Sequence, residues 1–227
     1  MKKEFNPTAR YLMGPGPSDV NPRVLKALAA PMIGHLDPQF IQIMDEVMEM
    51  ARELFQTKNQ VTSVISATGS AGMETCFVNL LERGDTALVC VNGVFGNRMC
   101  DIVERCGATL VRIDAPWGKP IEPDQVKAAL EKCNPKLVAI VHAETSTGVL
   151  QPLEEISKIV HDAGALFVVD AVTSLGGTQV KVDEWNIDAI DSGTQKCLSA
   201  PPGLSPVSFS PESIKVMDSR KTKVQSW

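Results

Sequence analysis

From Val61 onward, short apolar runs alternate with amphipathic stretches, and this alternation narrows the fold more than any other feature of the chain. Val61 to Ser66, Thr86 to Val91, Thr109 to Ile113, Lys136 to His142, Ala165 to Asp170, Ile187 to Ser192 and Ser205 to Ser210 read as strands. Between them, Ala71 to Arg83, Asn97 to Cys106, Asp124 to Cys133 and Leu153 to Ala163 read as helices, the first two stopping at Gly84 and Gly107. A strand such as Leu166 to Val169 is apolar at every position, as strands covered on both faces are. The pattern predicts an α/β fold with a mostly parallel sheet between two helical layers. Ahead of it, Met13-Gly14-Pro15-Gly16-Pro17-Ser18 is kept out of helix and strand by its Gly and Pro. Pro22 to Ala30 reads as a short helix. Asp37 is the expected N-cap of a longer one, with Phe40, Met44, Val47, Met48, Ala51, Leu54 and Phe55 at helical spacing.

In open sheets of this kind ligands bind beyond the carboxyl ends of the strands, and the unusual loops fall there. Thr68-Gly69-Ser70, Asn92 to Gly96, Glu144 to Gly148, Asp170 and Lys196 each follow a strand. Lys196 lies between a strand and the Pro/Gly-rich turn Ala200-Pro201-Pro202-Gly203, in a loop that fixes its amine. A lysine amine can form a Schiff base when burial or a neighbouring cation lowers its proton affinity, and Asp170 supplies a single carboxylate nearby. Each also has a plain structural reading, as a solvated loop lysine and a strand-end turn aspartate. Thr68-Gly69-Ser70 opens a helix, where free N–H groups suit a phosphate, although a simple cap and turn accounts for it equally. Phe95 between Gly93 and Gly96 is a core side chain or a stacking face. Ser146 is a ligand hydroxyl or a cap for the approach to the Leu153 segment.

Composition removes several function classes. A net charge of −5 with no basic run gives nucleic acid no footprint, and no apolar run approaches the length of a membrane span. Hydrophobic residues at 44% and charged residues at 22% suit a globular chain, with the cytosol as the expected compartment. Cys76, Cys90, Cys100, Cys106, Cys133 and Cys197 contain no CxxC pair and are expected to be buried thiols. His35, His142 and His161 share no metal-ligand spacing, so no metal is expected. No GxxxxGK[ST] or GxGxxG motif is present to hold a nucleotide.

The set GPGPS, QTKN, SATGSAGMET, NGVFGNR, HAETSTGVLQPLEEI, VVDAVTSLGG, SGTQKCLSAPPG and SRKTK resembles the class V aminotransferases, close to the alanine–glyoxylate (serine–pyruvate) and ureidoglycine–glyoxylate group. The resemblance runs from Leu12 to Trp227. It implies a fold-type I large domain over 21–227, preceded by an N-terminal segment, 1–20, on the substrate side. It also implies pyridoxal 5'-phosphate as cofactor, small amino acid and 2-oxo acid substrates, and a homodimer. Carried over by motif, Lys196 would bear the cofactor, Asp170 would pair with its ring nitrogen, and Val172 and Phe95 would sandwich the ring. Thr68, Gly69, Ser70 and Gln195 would hold the phosphate, with Ser146 near the ring hydroxyl. Where the alanine–glyoxylate enzymes have tryptophan and histidine, this sequence has Phe95 and Ser70. The resemblance further implies a small C-terminal domain with a carboxylate-gripping arginine beyond Trp227. The chain is therefore expected to be a piece of a longer enzyme or a weakly active truncated domain. A class V lyase or desulfurase is the other enzyme reading, although it would want a cysteine loop that this sequence lacks.

Overall fold

The computed structural model describes residues 6–224 and Ser226. Helices α1 (Pro22–Leu28) and α2 (Pro38–Phe55) precede strand β1 (Val61–Ile65). Then come α3 (Gly69–Leu80), β2 (Thr86–Val91), α4 (Val94–Arg105), β3 (Thr109–Asp114), α5 (Pro123–Leu130) and β4 (Leu137–Val141). A hairpin of β5 (Ala143–Glu144) and β6 (Val149–Leu150) leads into α6 (Glu154–Asp162) and β7 (Leu166–Asp170). The remaining elements are β8 (Ala189–Asp191), β9 (Ser205–Phe209) and α7 (Pro211–Asp218).

The seven-stranded sheet has the order β1-β9-β8-β7-β4-β2-β3. Only β9 runs against its neighbours, so all the other strands end at one edge, as the alternating pattern requires. Strand parity then divides the core. Phe167 and Val169 point to the layer with Phe55, Val126, Ile156 and Val160, while Val168 points to the layer with Met73, Phe77, Met99 and Val103. Both layers are fully enclosed, which is why the central strands carry no polar alternation. The N-terminal helices start as their sequences dictate. Asn21 accepts from Arg23 N at 2.9 Å and Asp37 from Gln39 N at 2.8 Å, each with proline next in the chain. Among the described residues no helix is long and apolar enough to cross a membrane, and no group of three His, Cys, Asp or Glu is placed to hold a metal.

Several boundaries differ from the sequence reading for identifiable reasons. Helix α3 begins at Gly69, two residues before Ala71, with Thr68 extended as its N-cap. It ends when Leu81 turns extended, short of Gly84, where the Asp85 carboxylate accepts from Glu82 N at 2.7 Å. Helix α4 begins at Val94, before Asn97, because a carboxylate from a distant strand caps it. Cysteine burial is also uneven. Cys76, Cys90, Cys100 and Cys106 are buried, but Cys133 is half-buried and Cys197 is exposed on the turn after Lys196, where strand or helix periodicity no longer governs.

One buried carboxylate ties four elements together. Asp188, just ahead of β8, accepts from Phe167 N at 2.8 Å, from His161 Nε2 of α6 at 2.9 Å and from the Ser210 hydroxyl that caps α7 at 2.8 Å. The hydrogen bond to Asp188 raises the proton affinity of His161. A raised imidazole stabilises the fold below its unfolded value, and that contribution fades as pH climbs through its folded value. Replacing Asp188 by Ala strands the buried Phe167 N–H and Ser210 hydroxyl and takes the acceptor from the half-buried His161. The expected cost is about 3–5 kcal/mol, read as a lower urea midpoint at unchanged slope. A loss under about 1 kcal/mol would show that this network is not what joins the layers.

Candidate active site at the carboxyl edge of the sheet

The edge where the parallel strands end carries the Thr68 turn after β1, Phe95 after β2, the Glu144 segment after β4, Asp170 at the end of β7 and Lys196 after β8. Asp170 closes β7 with its carboxyl buried and accepting from Val172 N at 2.7 Å. Thr68 and Ser70 are exposed at the start of α3, and Gly69 between them is buried. A methyl on Gly69 would lie 3.1 Å from Val172 Cγ2 and one on Gly193 would lie 2.8 Å from Gln195 Oε1, so the α3 turn, Val172 and Gln195 are contiguous. The Gln195 Oε1 atom is buried and has no partner among the described residues. The Thr68 side chain makes no capping bond, leaving the first N–H groups of α3 to point at the same space.

Lys196 is half-buried, and its loop is held from the far end of the chain. Ser18 N and Oγ donate to Gln195 O, at 2.8 and 3.1 Å, and Ser18 Oγ also reaches Lys196 O at 2.7 Å. The Lys196 amine donates to Pro15 O at 2.6 Å. Gly16, at φ 121°, passes so close that any side chain there would occupy the volume of the Lys196 stem. The GPGPS segment is thus the wall against which the lysine rests.

Two residues that sequence reasoning left unassigned organise the opposite side. Glu144 is buried, and its Oε2 accepts from Phe95 N at 3.0 Å and Gly96 N at 3.4 Å. Its Oε1 accepts from Ser146 N at 3.1 Å and from the Ser146 hydroxyl at 2.7 Å. Ser146 Oγ in turn accepts from Val94 N at 3.0 Å. Ser146 therefore joins the cap of α4 and not the approach to the Leu153 segment. A carboxylate at the positive end of a helix is favourable, and here it sets where Phe95 sits. Gly93 can have no side chain, because a Cβ would collide with the Glu144 and Ser146 side chains. The signal for Glu144 lay in its place ahead of Ser146 after a strand, but its partners are about fifty residues away along the chain. Arg98 is the other: its Nη1 donates to Ser70 Oγ at 2.9 Å and its guanidinium lies 4.9 Å from the Phe95 ring centroid.

Burial lifts the Asp170 carboxyl to about 6; Glu144 adds to the rise, while Val172 N–H, Arg98 and Lys196 oppose it. Its register partner on β8 is Asp191, fully buried, with neither carboxylate oxygen partnered among the described residues. Burial first, then the charge of Asp170, pushes Asp191 well above the usual carboxylate range. The edge therefore offers a fixed amine, a buried carboxylate short of counter-charge, an aromatic face and a helix N-terminus. Such a set can hold a flat cationic ring that bears an anionic arm.

Known proteins contain a similar segment. The profile described as aminotransferase class-V matches residues 10–224. The (S)-ureidoglycine–glyoxylate transaminase of Bacillus subtilis is 43% identical over 97% of this chain and 53% of its own length. The alanine–glyoxylate aminotransferase of Rattus norvegicus is 42% identical over 100% of this chain and 55% of its own. The solved alanine–glyoxylate aminotransferase of Nostoc sp. superposes with a TM-score of 0.98 at 42% identity, covering 100% of this chain and 60% of that one. The chain spans about half the length of the curated relatives it matches. Its mixed sheet is that of the fold-type I large domain, as the resemblance implied. With the motifs, the edge geometry and the profile in agreement over nearly its whole length, the chain belongs to the class V aminotransferases, a family that uses pyridoxal phosphate.

Proposed function

We infer that this chain binds pyridoxal phosphate on Lys196 and serves amino-group transfer between a small amino acid, such as alanine, serine or ureidoglycine, and a 2-oxo acid such as glyoxylate or pyruvate. The observation that carries the reading is the convergence of Lys196 and Asp170 on one edge, each fixed by backbone contacts, with Lys196 among the cations that oppose the rise of the Asp170 carboxyl. The residues fit the cofactor. The unpartnered Gln195 Oε1, the uncapped Thr68 and the open N–H groups of Gly69 and Ser70 form a polar recess where an anionic arm would sit. Phe95 and Val172 offer apolar faces for the ring, and Asp170 offers the carboxylate for its nitrogen. When bound, the cofactor supplies an electron sink for a carbanion beside the amino group.

The chain's own residues do the rest. Asp170, buried, would hold a proton on the cofactor's ring nitrogen, because the pair would neutralise a charge that burial otherwise disfavours. The Lys196 amine leaves Pro15 O to act, and its position on a braced loop lets it take a proton from one atom and return it to another nearby. Pro15 O holds that amine by a single neutral acceptor, so it is oriented without being locked in an ion pair. The Glu144 cap fixes the backbone of Phe95, whose side chain would offer the ring an apolar face. A homodimer belongs to this reading. Met13, Met32 and Leu36 are 92%, 97% and 77% exposed, and Leu25, Leu28, Ile41 and Ile43 are also uncovered on the same N-terminal stretch. Apolar exposure on that scale suits a second copy.

Protein incubated with pyridoxal phosphate should gain a visible absorbance band, and borohydride should fix the label to the Lys196 peptide. Lys196→Ala should abolish the adduct; a label on Lys181 or Lys132 would sink the assignment. Asp170→Asn should weaken cofactor binding at pH 7.5 about tenfold or more, since an amide cannot neutralise the ring cation. The sign with pH follows from a carboxyl raised to about 6: parent affinity should fall as pH drops through that value, and the Asn variant should show no such limb. Loaded protein mixed with alanine should release pyruvate, and absence of any pyruvate would defeat the transfer reading while leaving cofactor binding intact.

A further inference from the structure

Asp170 and Asp191 are register partners on the adjacent parallel strands β7 and β8, and between them the Ala171 N–H donates to Asp191 O at 2.8 Å. Residues two apart on a strand share a face. Val168 and Ala189 both pack in the layer with Met73, Phe77 and Met99, so Asp170 and Asp191 both project into that layer, under α3. Neighbouring strands lie about 4.8 Å apart, which brings two aspartate side chains on one face within reach of each other. Helix α3 seals them in: a methyl on Gly72 would lie 3.3 Å from Asp191 Cβ and would overlap Ser205 Oγ. Asp191 is completely buried, and the steps assigned to Asp170 and Lys196 do not use it.

A carboxyl so placed needs donors to carry charge. The neighbouring hydroxyl, Ser205 Oγ, is committed to Ser192 O at 2.5 Å, and neither Asp191 oxygen has a hydrogen-bond partner among the described residues. The titratable groups around the pair are Cys76 of α3, Glu144 of the β5 hairpin, Arg98 of α4 and Lys196 of the following loop. The two cations bear on Asp170, whereas Asp191 is opposed only by its own main-chain N–H. When two carboxyls share a dry site, one of them keeps its proton. A protonated carboxyl has a hydroxyl to place, and the acceptor beside it on the same face is Asp170, which takes one hydrogen bond among the described residues, from Val172 N. We propose that Asp191 is a positioning residue, a neutral carboxylic acid that turns its hydroxyl toward Asp170 and gives that buried carboxylate a second donor. The consequence for catalysis rests on the reading given above, in which Asp170 holds a proton on the ring nitrogen: the donor lets Asp170 stay anionic where solvent does not reach it.

The test uses cofactor-free protein, so its outcome is independent of whether Lys196 takes the borohydride label. Aspartate labelled at the side-chain carboxyl carbon is followed by nuclear magnetic resonance, with Asp170→Asn and Asp191→Asn identifying the two signals. At about pH 8 the Asp191 carbon should still report a protonated acid, and infrared spectra should show a carboxylic carbonyl stretch that Asp191→Asn removes. The amide keeps a neutral N–H donor, so in Asp191→Asn the Asp170 midpoint should stay within about 0.3 pH unit of the parent's, near 6. Asp191→Leu removes the donor and should raise that midpoint by more than about 0.3 pH unit. A space-filling role alone would cost stability in the Leu variant and leave the midpoint where it was. An ionised Asp191 at about pH 8, or an Asp170 midpoint that falls beyond the stated margin in Asp191→Asn through relief of like charge, overturns the proposal. So does a smaller rise in Asp191→Leu; should that variant not fold, the Asp191 protonation signal and the Asn midpoint decide alone.

Discussion

The buried carboxylate of Glu144 is the contact on which one half of the site depends. Its two oxygens take up the N–H groups of Phe95, Gly96 and Ser146 and the Ser146 hydroxyl, joining the end of the β4–β5 segment to the start of α4. A helix leaves its first N–H groups unsatisfied, and a carboxylate satisfies them while also matching the dipole. The position of Phe95 follows from this cap, and the position of Arg98 follows from Phe95 and Ser70. Gly93 and Ser146 are consequences of the same contact: one leaves room for the carboxylate, and the other fills its remaining valence. Moving Glu144 would displace the aromatic face and the cation together.

Charge at the edge is arranged by depth. Glu144 is satisfied by donors, Asp170 has one N–H and two nearby cations, and Asp191 has none among the described residues. Donor supply falls from Glu144 to Asp170 to Asp191. Asp170 occupies the middle of that series, ionised but without a full complement of partners. A buried anion in that condition gains from an incoming cation more than a solvated one would.

The sheet and its edge were legible in the sequence because both rest on local patterns. Uniformly apolar runs such as Leu137–Val141 and Leu166 to Val169 announce strands covered on both faces, and polar loops after them mark the ligand edge. Lys196, Asp170, Phe95 and the Thr68 turn were found this way and by motif. What stayed hidden depends on partners remote in sequence. Helix α4 starts three residues earlier than its own residues suggest because Glu144 caps it, and Helix α3 stops at Leu80 because Asp85 folds back on Glu82. The antiparallel course of β9 is likewise invisible locally, since its all-buried Ser205–Phe209 reads like any other interior strand. The exposure of Cys197 escaped the apolar-thiol rule because a turn, not an element, presents it.

The contact between Lys196 and Pro15 spans 181 positions of the chain, and the Ser18 contacts with Gln195 and Lys196 span almost as many. Closing a loop of that size costs entropy that only the completed sheet between the two ends can offset. During synthesis the GPGPS segment leaves the ribosome ahead of the sheet and cannot make these contacts until the strand carrying Asp191 and the turn beyond it have followed. The lysine wall can therefore form only once the turn that carries Lys196 has been made. Amide exchange at Ser18, whose N–H depends on that late contact, would report the opening of the reactive edge without any ligand present.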